Sequence, residues 1–212
     1  MTADRAWLRG LFDRAVEAAQ PGRWLADCLP PPPSGRTIVV GAGKAAAGMA
    51  EAVERVRGEA VSGAVAVPAG TACACTRIEC LEAGHPVPDE HSLEAARRMH
   101  ALVSGLGADD QVIALVSGGG SALLCDPAAG LALADKQALT GALLRSGATI
   151  REINCVRQAA SRIKGGRLAA RAAPAAVYTL LVSDVPGDEP ATIASGPTVA
   201  SPFDAGEAVT VL

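Results

Sequence analysis

Three short stretches carry residue types suited to handling an anion. The first is Gly41-Ala42-Gly43-Lys44, where a glycine turn delivers a lysine to the start of an Ala-rich segment. A cation at a helix N-terminus opposes the helix dipole at a cost of ~0.3–1 kcal/mol, so its placement makes most sense if an anion sits there too. The second is Ser117-Gly118-Gly119-Gly120-Ser121. Three glycines remove the Cβ atoms that would keep a ligand off the backbone, and they permit positive φ, so that successive N–H groups can converge into an anion-binding nest. Ser121 is placed to cap a short helix over Ala122-Leu123-Leu124, which would aim further N–H groups at the same spot. The third is Ser183-Asp184-Val185-Pro186-Gly187-Asp188, where two aspartates four apart in a Pro-Gly loop suit Mg²⁺ held by carboxylates and waters. The alternatives are a flexible βα turn, a solvated lysine and ordinary Asp-Pro-Gly turn chemistry.

Each stretch follows a segment that reads as a buried strand. The runs at 37–40, 63–67, 112–116 and 178–182 are apolar and rich in β-branched residues, the pattern of a parallel sheet covered on both faces. Residues 78–81 suggest a further short strand. Helical periodicity occupies the gaps. It predicts helices over 4–20, from the Lys44 turn to about Val56, over 92–104 with Asp89 or Ser92 as cap, over 133–145 ended by Gly147, and from Ile153 through about Ala172. In that last helix Arg157, Lys164 and Arg171, spaced by seven, would share one face. The fold class predicted is α/β, a doubly wound and mostly parallel Rossmann-like sheet with helices on both faces. In such sheets ligands bind beyond the carboxyl ends of the strands, where all three stretches lie. Residues 1–35 form a helix and a Pro-rich connector, and 36–212 the α/β domain. His85, in the stiff Gly84-His85-Pro86-Val87-Pro88-Asp89 turn, reads as bracing that loop.

Composition excludes several classes. Half of the 212 residues are hydrophobic but only 2% are aromatic, so the core is built from Ala, Val, Leu and Ile. A net charge of −3 and a pI near 5.6 argue against a nucleic-acid partner. No apolar run reaches the ~20 residues of a membrane span, and the first residues lack a secretory h-region, which points to the cytoplasm. Cys73, Cys75 and Cys80 follow a C-x-C-x4-C spacing without paired C-x-x-C or a nearby histidine, so the six cysteines read as buried free thiols rather than a zinc knuckle. The Gly41 turn matches the looser dinucleotide fingerprint G-x-G-x-x-A. The strand after it ends in Pro68-Ala69-Gly70 without the ribose-binding acid, which weakens a nicotinamide reading, and no Walker A loop is present.

From residue 36 onward the chain resembles the N-terminal part of the class II, MOFRL-associated glycerate 2-kinases. The resemblance rests on Gly41-Ala42-Gly43-Lys44-Ala45-Ala46, Gly84-His85-Pro86-Val87-Pro88-Asp89, Ser117 to Leu123, Ile153-Asn154-Cys155-Val156-Arg157, Ser161 to Ala169, Ser183 to Asp188 and Ala194-Ser195-Gly196-Pro197-Thr198, in that order. It implies ATP-dependent phosphorylation of D-glycerate to 2-phosphoglycerate with Mg²⁺. Some members carry the name hydroxypyruvate reductase, an NAD(P)H-dependent alternative. A truncated, non-catalytic anion-binding module is a third reading. Lys44 matches the family's active-site lysine. The candidate site is then Lys44 and Asp184 as catalytic residues, with Gly41, Gly43, Ser117, Gly118, Gly119, Gly120, Ser121, Asn154, Arg157 and Lys164 binding substrate or phosphate, and Asp184 and Asp188 for the metal. Two departures stand out. Gln158-Ala159-Ala160 replaces a Lys-His-Leu-like run. Members are also about twice as long, with a second domain that closes the cleft and supplies an arginine, so the expected partners are D-glycerate, a missing C-terminal half or a second copy.

Overall fold

The computed structural model describes residues 2–212; Met1, where the leader reading begins, lies outside them. Among the described residues one five-stranded sheet forms, all parallel, from β1 (Thr37–Ala42), β2 (Val61–Pro68), β3 (Ile78–Ala83), β4 (Gln111–Ser117) and β5 (Ala176–Val182), in the order β3-β2-β1-β4-β5. The predicted fold class and every predicted strand are present. β1 and β4 are buried along their whole length, as continuous apolar runs require.

The period of two divides the side chains between two layers. Val39, Val65, Val67, Ile113 and Leu115 face Met49, Ala50 and Val53 of α3 (Ala46–Arg57). Ile38, Val40, Val112, Ala114 and Val116 face Ala95, Ala96, Met99 and Val103 of α4 (Glu90–Val103). α3 carries the chain from β1 out to β2, and α4 carries it back from β3 past β1 to β4 on the opposite face. Right-handed crossovers in the two directions must use opposite faces. The direction of winding therefore reverses between β1 and β4, which makes their carboxyl ends the switch point where ligands bind in such sheets.

α1 (Thr2–Ala19) and α2 (Pro21–Cys28) precede the sheet. Leu25 of α2 is fully buried in the layer that contains α3, so the predicted connector region contributes to the core. The stripe that predicted α1 faces solvent instead, with Trp7 65% and Phe12 66% exposed. Asp89 caps α4: its carboxylate accepts from Ser92 N at 2.9 Å, and Ser92 Oγ accepts from Asp89 N at 3.1 Å. No helix among the described residues is long and apolar enough to cross a membrane.

The predicted helix from Ile153 to Ala172 is not continuous. α5 (Gly120–Leu123) and α6 (Leu133–Arg145) follow β4, and α7 then covers Ile150–Ala159. The chain turns through Gly165 and Gly166, at φ +60° and +82°, before α8 (Arg167–Ala172). α7 has already ended, with Ala160 as its C-cap, so Lys164 sits in this turn and the shared face of Arg157, Lys164 and Arg171 does not form. The last helix, α9, spans Ala205–Val211.

Gly41 tests how tightly β1 and β4 approach. A Cβ there would overlap the carbonyl oxygen of Leu115, which is backbone and cannot move aside. Gly41→Ala is expected to cost more than about 2 kcal/mol, beyond ordinary overpacking by one methyl. The measurement is the urea unfolding midpoint. Gly10→Ala in α1, where a Cβ meets open space, serves as the control and should leave that midpoint unchanged or slightly raised.

Candidate functional site

The loops after β1 and β4 are stitched to each other. Lys44 N donates to Gly118 O at 2.9 Å, Ala45 N donates to Ser117 Oγ at 3.0 Å, and Gly43 N donates to Ala66 O at 3.1 Å. A Cβ on Gly43, at φ +140°, would overlap the Ser117 hydroxyl. Gly41, Gly43 and Ser117 thus serve the seam between strands. The N–H groups of Gly43, Lys44 and Ala45 are already spent on protein acceptors, so this turn has no free cradle for a pyrophosphate.

The seam leaves the Lys44 side chain exposed and fixes where it starts. Beyond it, the Gly118–Gly120 loop carries the site. A Cβ on Gly118 would overlap the Asp184 carboxylate, and a Cβ on Gly119 would lie 3.1 Å from His85 Nε2 and 3.4 Å from Lys44 Cγ. Glycine is what allows lysine, histidine and aspartate to close around one loop. Gly119, at φ +88°, precedes α5 as its cap, so Ser121 does not cap that helix. Its hydroxyl lies 2.8 Å from Ser195 Oγ instead, and Ser195 Oγ donates to Asn154 Oδ1 at 2.7 Å. Asn154 Nδ2 donates to Thr192 O at 3.3 Å. Asn154 is therefore a brace, with both ends of its amide engaged.

These elements enclose a cleft of about 260 Å³ lined by Lys44, His85, Gly118, Gly119, Ser121, Asn154, Arg157, Asp184, Thr192 and Ala194, among others. His85 joins it to a larger groove of about 710 Å³ along the carboxyl ends of β2 and β3 and the start of α4. Burial and the nearby Lys44 charge both pull the His85 imidazole below its ordinary value, so at neutral pH it is an uncharged ring. Asp184 forms no ion pair among the described residues. Asp188, exposed and at φ +51°, is not among the residues lining the cleft.

Behind Ser121 lies a set of charges that sequence reading did not assemble. Lys136 and Lys164 are buried and, with Arg157, line a void of about 10 Å³, room for roughly one water. Among the described residues none of the three pairs with a carboxylate. Asp126, on the same wall, is held by Arg162 and His100. Lys164 Nζ donates to Leu124 O at 2.6 Å. Burial, reinforced by Lys136, pulls the Lys164 amine down to about 7. Burial and Arg157 lower Lys136, and burial lowers Arg157. Lys136 was legible only through its phase: it shares a face of α6 with Thr140 and Leu143, the positions at i+4 and i+7, and all three are buried. Gln158, the departure from the family pattern, points into the core and donates to Ala191 O.

A domain family described as DUF4147, domain of unknown function, matches residues 7–212. A protein from Agrobacterium vitis named as a hydroxypyruvate reductase is 52% identical over 98% of this chain and 48% of its own length. The D-glycerate 2-kinase of Thermotoga maritima is 43% identical over 95% of this chain and 49% of its own. The crystal structure of glycerate kinase from Thermotoga maritima superposes with a TM-score of 0.90 at 39% identity, over all of this chain and 51% of that one. The chain spans about half the length of the curated relatives it matches.

The buried amine predicts a pH effect on stability. Between about 7 and 10.5 the unfolded chain binds a proton at Lys164 that the folded chain does not, so stability rises with pH in that window. Lys136, shifted the same way, adds to it. The slope is at most ~1.4 kcal/mol per pH unit for each amine. The raised thiols of Cys125 and Cys155 oppose it only above about pH 8.5, where exposed thiols ionise. The urea midpoint of the wild type should climb between pH 7 and 8.5, while Lys164→Met should be more stable at pH 7 and climb less. An equal slope in the two proteins would mean that Lys164 is charged in the fold.

Proposed function

This chain belongs to the DUF4147 family, the N-terminal part of the glycerate 2-kinases, and from that membership we propose that its cleft transfers the γ-phosphoryl group of ATP to the 2-hydroxyl of D-glycerate in the cytoplasm. The observation that carries the reading is the convergence of Lys44, the Gly118–Gly120 loop and Asp184 at one switch point. Phosphoryl transfer is mostly positioning and charge neutralisation, which this set can supply.

The two hollows divide the substrates. The groove beside β3 has the volume of a site for a drug-sized ligand, and its walls carry Glu82, Asp89 and Glu94. Acids repel phosphates, so this groove suits the nucleoside, with the phosphates reaching past His85 to Lys44. The N–H groups of Gly119, Gly120 and Ser121, which have no protein acceptor among the described residues, would receive them. The smaller cleft suits glycerate, its carboxylate facing Arg157, whose fork matches a carboxylate. Lys136 and Lys164 deepen the positive potential behind it.

In the reaction the glycerate 2-hydroxyl oxygen bonds to the γ-phosphorus as the bond to the β–γ bridging oxygen breaks; ADP leaves with that electron pair, and the hydroxyl proton passes to an oxygen of the transferred phosphoryl group or to water. Lys44 stabilises the charge on the transferring group. Asp184 is exposed, free of ion pairs and beside the glycine loop, which fits Mg²⁺ held through one carboxylate and waters. That ion neutralises the β- and γ-phosphates when bound. Asp188 would join it only through a water. The other half that the relatives possess would form the facing wall and shield the site from water.

A reductase reading has the Agrobacterium name behind it, but the turn after β1 opposes it. Its N–H groups are committed to Ala66, Ser117 and Gly118, and β2 ends without an acid for the ribose. NADH and NADPH, titrated by fluorescence, should show no binding in the micromolar range, and micromolar binding would restore the reductase.

The kinase reading is tested in the full-length protein by coupling 2-phosphoglycerate formation to a reporter. Lys44→Ala should lower kcat by ~10³ while the thermal midpoint stays put, because the side chain is exposed. Arg157→Met should raise KM for glycerate at least about tenfold with little change in KM for ATP, as expected for loss of a charged hydrogen bond to one substrate. Normal turnover with Lys44→Ala removes that residue from the mechanism. A rise in KM for ATP alone would exchange the two substrates between the hollows.

A further inference from the structure

The other unexplained chemistry lies on the far side of α3. The loop between β2 and β3 brings Cys73 and Cys75 against Cys80 of β3. Cys73 Sγ is 3.3 Å from Cys75 Sγ and 3.3 Å from Cys80 Sγ, and all three sulfurs lie within 4.8 Å of one another. None forms a disulfide. All three are half-buried against the apolar layer that holds α3, and Cys73 also donates to Ala47 O at 3.2 Å.

The cluster is held from outside. Glu54 of α3 accepts from the N–H groups of Thr76, Arg77 and Ile78 and from Thr76 Oγ1 at 2.7–3.1 Å, which clamps the segment joining Cys75 to β3. These bonds outweigh burial and hold the Glu54 carboxyl at about 2, so the clamp persists at any physiological pH. A shallow hollow lined by Glu51, Glu54, Arg55, Ala74 and Cys75 leaves Cys75 open to solvent.

We propose that Cys73, Cys75 and Cys80 form a three-thiolate site for a soft divalent cation of the zinc–cadmium kind, with solvent completing the coordination. The geometry is near what such an ion needs. A Zn–S bond of about 2.3 Å at the tetrahedral angle sets sulfurs about 3.8 Å apart, within half an ångström of the two short separations. The C-x-C-x4-C spacing departs from the usual paired knuckle because the third ligand comes from a strand, not a second turn. Burial and the neighbouring sulfurs push the Cys75 thiol well above the ordinary thiol range and Cys80 up to about 11. Binding exchanges three S–H protons for one M²⁺, so affinity rises with pH.

The test titrates cadmium chloride into the chain, kept reduced by a phosphine, in a Cys28→Ser background that removes the exposed thiol. The thiolate-to-cadmium band in the ultraviolet should saturate at one equivalent, with three protons released per ion. Zinc should compete for the site and raise the thermal midpoint by mass action. Cys75→Ser, at the solvent edge, should weaken binding by more than about 100-fold, beyond what loss of an outer-shell group costs. Cys73→Ser should do the same, with circular dichroism confirming that each variant is folded. No band at one equivalent would overturn the proposal. So would a band unchanged in both variants, which would place the metal on other thiols.

Discussion

The contact on which the rest of the site depends is the seam between β1 and β4 beyond their last paired residues. Two hydrogen bonds, Lys44 N to Gly118 O and Ala45 N to Ser117 Oγ, join the loops at the point where winding reverses. Each is worth only ~1 kcal/mol net, but leaving either donor buried and unmet would cost more. The seam requires glycine at 41 and 43, because a Cβ at either would overlap β4. It also consumes the backbone that a dinucleotide site would use. The N–H groups left without a protein acceptor among the described residues lie one strand over, in the loop after β4, and the turn after β1 offers the exposed Lys44 side chain instead.

Much of this was legible in the sequence. Unbroken apolar runs mark the strands, and the rule that ligands gather beyond carboxyl ends places Lys44, the glycine loop and Asp184 at one edge, where they lie together, since all three depend on local signals. What failed depended on the third dimension. Seven-residue spacing put Arg157, Lys164 and Arg171 on one helix, but α7 stops at Ala159 and a turn through the left-handed Gly165 and Gly166 separates it from α8. Ser121 reads as a cap, yet Gly119 takes that place because positive φ comes free to glycine. His85 reads as a brace among prolines, whereas its ring stands over Gly119. Lys136 is not singled out by the sequence, because nothing along the chain shows that its face of α6 is buried. Cys73, Cys75 and Cys80 are grouped by their spacing, but that spacing does not show that the loop folds back so that all three sulfurs meet at β3.

Charge is distributed unevenly for a chain that is slightly acidic overall. Lys136, Arg157 and Lys164 crowd one wall without carboxylate partners, and Glu82, Asp89 and Glu94 line the neighbouring groove. Unpaired buried cations are costly, and the fold answers in part by holding Lys164 near neutrality. An anion at Arg157 would lower the cost of protonating that amine. Anion binding here, as proposed, would therefore couple to protonation through the same three groups.

The last constraint is strain. Ala194 and Ser195 sit at φ +52° and +60°, where residues with a Cβ are uncommon. The Ser195 hydroxyl links Ser121 to Asn154, and a Cβ on Gly120 would press on the Ala194 methyl. Backbone in this region costs of order 1–3 kcal/mol per residue and persists only where surrounding contacts fix it. Here those contacts come from α5 and α7, the elements that present the glycine loop and Arg157. The strained turn holds the glycine loop and the Arg157 wall of the cleft in one register. A site for transfer between two substrates needs that distance fixed, because a misplacement of about 1 Å can cost ~10² in rate. Asn154 acts in this scheme through Ser195 and Thr192, setting the position of α7 and with it the reach of Arg157 into the cleft.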